Sequence, residues 1–313
     1  MGNNATLEIN LNEEYKIKIE NGNNFYKSIF EEVYESASKN VIEIVKQSDE
    51  QKNSKYDDFN NIIAFTGERG KGKSSSMISF LDALVGKEKN EHKDFFKSDD
   101  YKYLNNKSFA TIDIIDPSLF RGEESLFEII LAKMFQKFQS ELKKNKTKIS
   151  QDDKRELIQY FQNVFENLQI INSDRKELYK KESIESLSKL ATSSNLRDCF
   201  KDLVFCYLKK FENNKDHLII AIDDFDLNIS GAYEMLEDIR QFLIQSSIIL
   251  LVACKMEQLR QIVLSNYFKD YEILFRYKST EITESDLINK TEKYLEKLFP
   301  ISRRLELPNL KLF

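Results

Sequence analysis

Glycine is scarce in this chain and unevenly placed. Only eight occur in 313 residues, against about 7% in an average composition. Three of them, Gly67, Gly70 and Gly72, fall within six residues. They separate an apolar run, Ile62 to Thr66, from a run at helical spacing, Ser74 to Val85, which Gly86 closes. The predicted local structure is a buried strand, a turn that needs left-handed backbone, and a helix. Such a turn aims successive backbone N–H groups to one side. With the helix N-terminus behind them, they form a cradle suited to phosphate oxygens.

The same alternation of strand and helix runs through the rest of the chain. Phe109 to Ile115, LIIAI at 218–222, IILLVA at 248–253 and Leu305 to Leu307 read as further strands. Amphipathic patterns lie between them, including AYEMLEDIRQFL and helices over roughly 255–275 and 283–298. Strands that alternate with helices predict a parallel sheet covered on both faces. The expected class is α/β: three layers with a central, mostly parallel sheet, a helix-rich insertion and a small N-terminal β-hairpin plus helix. The hairpin falls on 5–19, where apolar and polar residues alternate, and the helix on about 25–45. The expected boundaries are 1–47 for this N-terminal unit, 48–60 for a polar linker and 61–313 for the core. Within the core, 87–107 reads as a charged surface insertion and about 123–213 as the helix-rich one.

Composition removes several function classes. Hydrophobic residues at 41% and charged residues at 32% are those of a packed globular chain. With 47 basic residues against 52 acidic ones, the formal charge is −5. Nucleic acid is therefore a conceivable partner but not an indicated one, and an anionic membrane is not expected. Three cysteines without CxxC spacing and two histidines give no disulfide framework and no zinc site. No apolar run approaches the roughly 18 residues that span a bilayer, and no signal peptide opens the chain, so the expected location is cytoplasmic. Gly2 and Thr6 meet the myristoylation pattern only formally.

Gly67-x4-Gly72-Lys73-Ser74 is the P-loop pattern, following a strand and opening a helix. On the order of one chain in a hundred of this length would match its four fixed positions by accident. The expected ATP-binding residues are Gly67, Glu68, Arg69, Gly70, Lys71, Gly72, Lys73, Ser74 and Ser75. Lys73 is expected to neutralise the β- and γ-phosphates, and the Ser74 hydroxyl to ligate Mg²⁺. A Mg·ATP site also needs a carboxylate from a neighbouring strand. HLIIAIDDFD, 217–226, ends an apolar strand on Asp223 and Asp224. Asp226 either assists there or caps the next segment. A GTPase reading rests on Asn289-Lys290-Thr291-Glu292, but this tetrapeptide sits in a helical pattern and ends in Glu where the guanine-reading motif has Asp.

GERGKGKSS, the doubled aspartates of AIDDFD and YEMLEDIRQFLIQSSIILLVACKMEQLRQIV together resemble the KAP and STAND branch of AAA+-like P-loop ATPases, the class with an additional strand in its sheet. The resemblance spans roughly 58–310 and implies a P-loop NTPase fold. It implies Asp223 as the second Mg²⁺ ligand and Asp224 as the catalytic acid that polarises the attacking water. It also implies a polar sensor at Lys255, although a lysine opening a helix reads first as a solvated one. In ring-forming members an arginine just before the last strand reaches the next subunit's nucleotide, which points to Arg303 and Arg304. The chain departs from KAP members at Leu227, where they carry arginine, and it lacks their transmembrane insertions. DIIDPSLFRGEESLFEIILAKMF and KYLEKLFPISRRLELP are also similar to the ATPase subunits of bacterial antiviral systems such as RADAR, whose effector is an adenosine deaminase. The function so implied is Mg-dependent ATP hydrolysis that drives assembly of a homo-oligomeric ring, or a conformational switch, in antiviral defence. A nucleic-acid-handling ATPase of the initiator or loader kind shares the same core and is the alternative.

Overall fold

Short runs of Ile, Leu, Val and Phe become strands here because they are too short for helices and are apolar on both sides, as a covered parallel sheet requires. The computed structural model describes residues 28–51, 60–119, 125–144, 149–172, 195–227, 231–276 and 282–308. Its strands are β1 (Ile62–Thr66), β2 (Phe109–Thr111), β3 (His217–Ile222), β4 (Ile248–Cys254) and β5 (Arg304–Glu306). They form one five-stranded sheet in the order β2-β3-β4-β1-β5, every pairing parallel. β4 thus lies between β1 and β3, with Thr66 opposite Cys254 and Ile222 opposite Val252. Every residue of β1, β3 and β4 is buried.

The helices are α1 (Glu31–Gln51), α2 (Lys73–Val85), α3 (Asn90–Phe96), α4 (Lys102–Asn105), α5 (Leu126–Lys143), α6 (Gln151–Asn172), α7 (Leu196–Cys206), α8 (Ala232–Asp238), α9 (Met256–Asp270), α10 (Glu272–Arg276) and α11 (Glu284–Leu298). Both α7 and α8 end in a π-helical turn, at Tyr207–Phe211 and Ile239–Leu243. Alternate strand residues divide the core into two. Ile63, Phe65, Leu251 and Ala253 pack with α1, α2 and the α3–α4 segment. Ile62, Ala64, Leu250 and Val252 pack with α5 to α9 and α11. The result is three layers, α/β/α. Helix α2 leaves β1 toward one face while α9 leaves β4 toward the other. The carboxyl ends of β1 and β4 are therefore the point where open α/β sheets bind ligands.

Several boundaries differ from those expected, each for a packing reason. Helix α1 runs to Gln51, past the expected linker start at 48, because its last turn is tied down. There Ser48 Oγ donates to the Ser246 carbonyl at 2.6 Å, and Asp49 accepts from Tyr103 Oη and Lys107 Nζ, both at 2.6 Å. The helix is part of the core rather than of a separate N-terminal unit, since Val33, Tyr34, Ala37, Val41 and Ile44 are buried against the sheet. Residues 87–107 are not a plain surface insertion either, for Phe95, Phe96, Tyr101 and Leu104 are buried in the same core. β2 stops at Thr111, and its expected continuation survives as a single bridge from Ile115 to Ile222. The hairpin expected at 5–19 lies outside the described residues. Asn289 to Glu292 lie inside α11, with Thr291 Oγ1 donating to the Leu287 carbonyl, and so follow no strand. No helix among the described residues is long and apolar enough to cross a membrane.

Candidate functional site

All three glycines of the loop between β1 and α2 have positive φ: 152° at Gly67, 83° at Gly70 and 83° at Gly72. Gly72 caps α2 in left-handed backbone, and its carbonyl accepts the Ser76 N–H at 2.9 Å. A Cβ at Gly72 would stand 2.9 Å from Phe30 Cζ. The loop is thus backed by an aromatic column that the local sequence does not announce. Phe30 meets Tyr34 edge to face, Tyr34 stacks on Phe80 of α2, and Phe80 packs against Phe65 of β1. This column fixes the angle at which β1, the loop and α2 meet.

Lys73 Nζ lies 3.4 Å from the Glu68 carbonyl, folded over the loop. Glu68, Arg69 and Gly70 are exposed, and Lys71 to Ser75 are half-buried. The loop therefore faces solvent with four cationic side chains, Arg69, Lys71, Lys73 and the neighbouring Lys255.

The loop after β3 is built in the opposite way. Asp223 is fully buried, its N–H donating to the Ile115 carbonyl at 2.8 Å and its Oδ1 accepting the Asp224 N–H at 3.0 Å. Asp224 stands in left-handed backbone, φ 48°, and is half-buried. A non-glycine residue there marks strain of the kind found at functional sites. Asp226 is also buried. Desolvation raises its pKa, opposed by N–H bonds from Lys255 and from its own backbone and by the fields of Lys73 and Lys255. The bond from the Lys255 N–H ties this part of the loop to the end of β4.

β4 connects the two loops. Its last residue, Cys254, is buried and opposite Thr66, and burial pushes its thiol pKa up, which leaves it unreactive. The next residue, Lys255, forms an ion pair with the Glu68 carboxylate at 2.7 Å, across the top of the sheet. That bond holds the Glu68 pKa below the usual carboxylate range and raises that of Lys255. Sequence reasoning saw both residues but not their pairing, because nothing local links positions 187 residues apart.

The two arginines at the junction into β5 bond within their own chain. Arg303 is buried, and its guanidinium turns onto α1, donating to the Asn40 carbonyl at 2.6 Å and lying 3.5 Å from Glu43. A group so enclosed does not extend into a neighbouring subunit, which corrects the expectation for Arg303. Arg304 is half-buried and donates from Nε to the Phe299 carbonyl at 2.8 Å. Arg304 stands opposite Ala64 of β1 in the sheet.

Mg²⁺ takes one or two protein oxygens and keeps its other positions for phosphate and water. Ser74 lies in the first turn of α2, after β1, and Asp223 directly follows β3, two strand spacings away, roughly 10 Å. One hydroxyl and one buried carboxylate fit that cation, while among the described residues no cluster of three or more His, Cys, Asp or Glu forms a closed metal cage. The arrangement suits a polyanion carrying a small hard cation. No protein-family model and no curated protein matches the chain, so the chemistry of the site rests on its own residues.

Proposed function

We propose that the chain binds Mg·ATP at the carboxyl edge of β1 and hydrolyses it. One observation carries this reading. The left-handed glycine loop with Lys73 and the Asp223–Asp224 pair come to one edge of one parallel sheet, with a further strand between the strands that bear them. That interposed strand agrees with the additional-strand class of P-loop ATPases. Backbone N–H groups of Gly67 to Lys73 and the α2 N-terminus hold the phosphates, and Lys73 neutralises their charge. Ser74 and Asp223 hold Mg²⁺, which supplies charge stabilisation at the phosphates when bound. Asp224 orients the attacking water and takes its proton.

Arg304, which is half-buried rather than enclosed, is the remaining arginine of the pair to act on the developing charge. The homo-oligomeric ring, an adenosine deaminase effector and a role in antiviral defence are carried by the resemblance alone, since Arg303 no longer argues for a shared site. Lys73→Ala tests the core of the proposal. Isothermal titration with ATP should show binding to wild type and at least a tenfold loss in the variant, with circular dichroism unchanged because Lys73 is not in the packed core. Equal binding by the two proteins overturns the phosphate site.

A further inference from the structure

Lys255 and Lys73 both converge on one residue of the loop. Lys73 reaches the backbone carbonyl of Glu68, and Lys255 its carboxylate. The backbone of Lys255 is fixed independently, through the N–H bond that Asp226 accepts and through the pairing of Cys254 with Thr66. What is adjustable is the ion pair itself. The Glu68 side chain is 63% exposed and that of Lys255 31% exposed, and a pair so open to water costs little to exchange. Lys71 and Lys73 act on the same carboxylate through their fields. A carboxylate at this position therefore occupies the cations that a bound phosphate chain would use.

The helix N-terminus and the glycine backbone hold the inner phosphates of a nucleotide. Lys255 meets the loop at its second residue, not at the helix start, and so belongs with the outermost phosphate. Resting on the ATP-site reading above, we propose that Lys255 gives this site its preference for nucleoside triphosphates and that Glu68 holds that preference down. Its carboxylate competes for Lys255, and only a ligand with a terminal phosphate offers enough charge there to displace it. A diphosphate leaves Lys255 on Glu68.

The test is a double-variant cycle on the full chain, with Glu68→Gln, Lys255→Gln and both together, titrated with a non-hydrolysable ATP analogue and with ADP. Removing the competing charge in Glu68→Gln should tighten the triphosphate about threefold, the size of an exposed ion pair. ADP affinity should change less. In the Lys255→Gln background, Glu68→Gln should no longer alter the ratio of the two affinities. An equal gain for both nucleotides in Glu68→Gln, or a gain that persists without Lys255, overturns the competition and makes Glu68 a general repulsive charge. A wild type that binds neither nucleotide, or a Lys73→Ala variant that binds both like wild type, overturns the phosphate-loop reading instead, so the two failures are distinguishable.

Discussion

The loops that follow β1 and β3 share one sheet edge but are built on opposite principles. The first is basic, exposed and shaped by backbone: three glycines at positive φ and cations open to solvent. The second is acidic and enclosed, with Asp223 and Asp226 buried and Asp224 in a strained left-handed conformation. Flexible cations lose little by waiting in water, whereas a carboxylate that must orient a metal or a water molecule has to be held in place before ligand arrives. Under the proposed function, that division assigns binding chiefly to the first loop and chemistry to the second. Substitutions in each should separate affinity from turnover.

The largest effect is expected at Asp224. Asn tolerates left-handed backbone nearly as well as Asp does, so Asp224→Asn keeps the loop's shape and removes only the basic oxygen. Turnover should fall by about 10²–10⁴-fold while ATP affinity stays near that of wild type. Steady-state hydrolysis together with a binding titration checks this. A variant that hydrolyses ATP at the wild-type rate would move the base to Asp226 and break the assignment of chemistry within the acidic loop.

Gly72→Ala addresses the basic loop and should have a smaller effect on both stability and binding. Alanine at φ 83° carries about 1–2 kcal/mol of left-handed strain, and its Cβ would press on Phe30 Cζ at 2.9 Å. Because Phe30 is buried in the aromatic column, the ring yields only by disturbing Tyr34 and Phe80. Thermal unfolding should show a lower midpoint, and ATP affinity should drop, while the turnover of bound ATP changes little. Trimming Phe30 in the same chain, as Gly72→Ala/Phe30→Leu, should return part of the lost affinity. No recovery would place the whole cost in the backbone.

How much of this was legible in the sequence follows the range of each interaction. β1, the glycine turn and α2 are contiguous, so their periodicity and glycine spacing declare them, and Ile62–Thr66 is a strand over the residues expected. The apolar strand that delivers Asp223 and Asp224 is legible for the same reason. The order β2-β3-β4-β1-β5 is not, because register between distant strands leaves no local mark. Neither the Phe30 ring behind Gly72 nor the Lys255–Glu68 pair has a sequence signal of its own. Arg303 misled because the same residue type and spacing serve a finger and a buried tie equally well. Only its enclosure against Asn40 and Glu43 separates the two. The helices of 87–107 were hidden by their charge, since Phe95, Phe96, Tyr101 and Leu104 are few among lysines and acids and yet all point inward.

The smallest effect is expected at Asp226, and its pH dependence tests whether the acidic loop really carries a cost of enclosure. Burial raises the pKa of this carboxyl group in the fold despite Lys73 and Lys255 nearby. A group whose folded pKa lies above its unfolded value binds its proton more tightly when folded. Its ionised form therefore subtracts from stability at neutral pH, and that loss disappears as pH falls through the raised pKa. Asp226→Asn keeps an oxygen to accept the Lys255 N–H and never ionises. It should be slightly more stable than wild type at neutral pH in the absence of nucleotide. The margin should shrink as pH is lowered through the folded pKa and become constant below the unfolded value of about 3.9. Urea denaturation of both proteins at a series of pH values measures the margin directly. A variant less stable than wild type at neutral pH, or a margin that moves against Asn as pH rises, would mean that the lysines outweigh desolvation. The acidic loop would then be held by attraction to the basic one, and the contrast between an enclosed acidic loop and an open basic loop would give way to a single ion network.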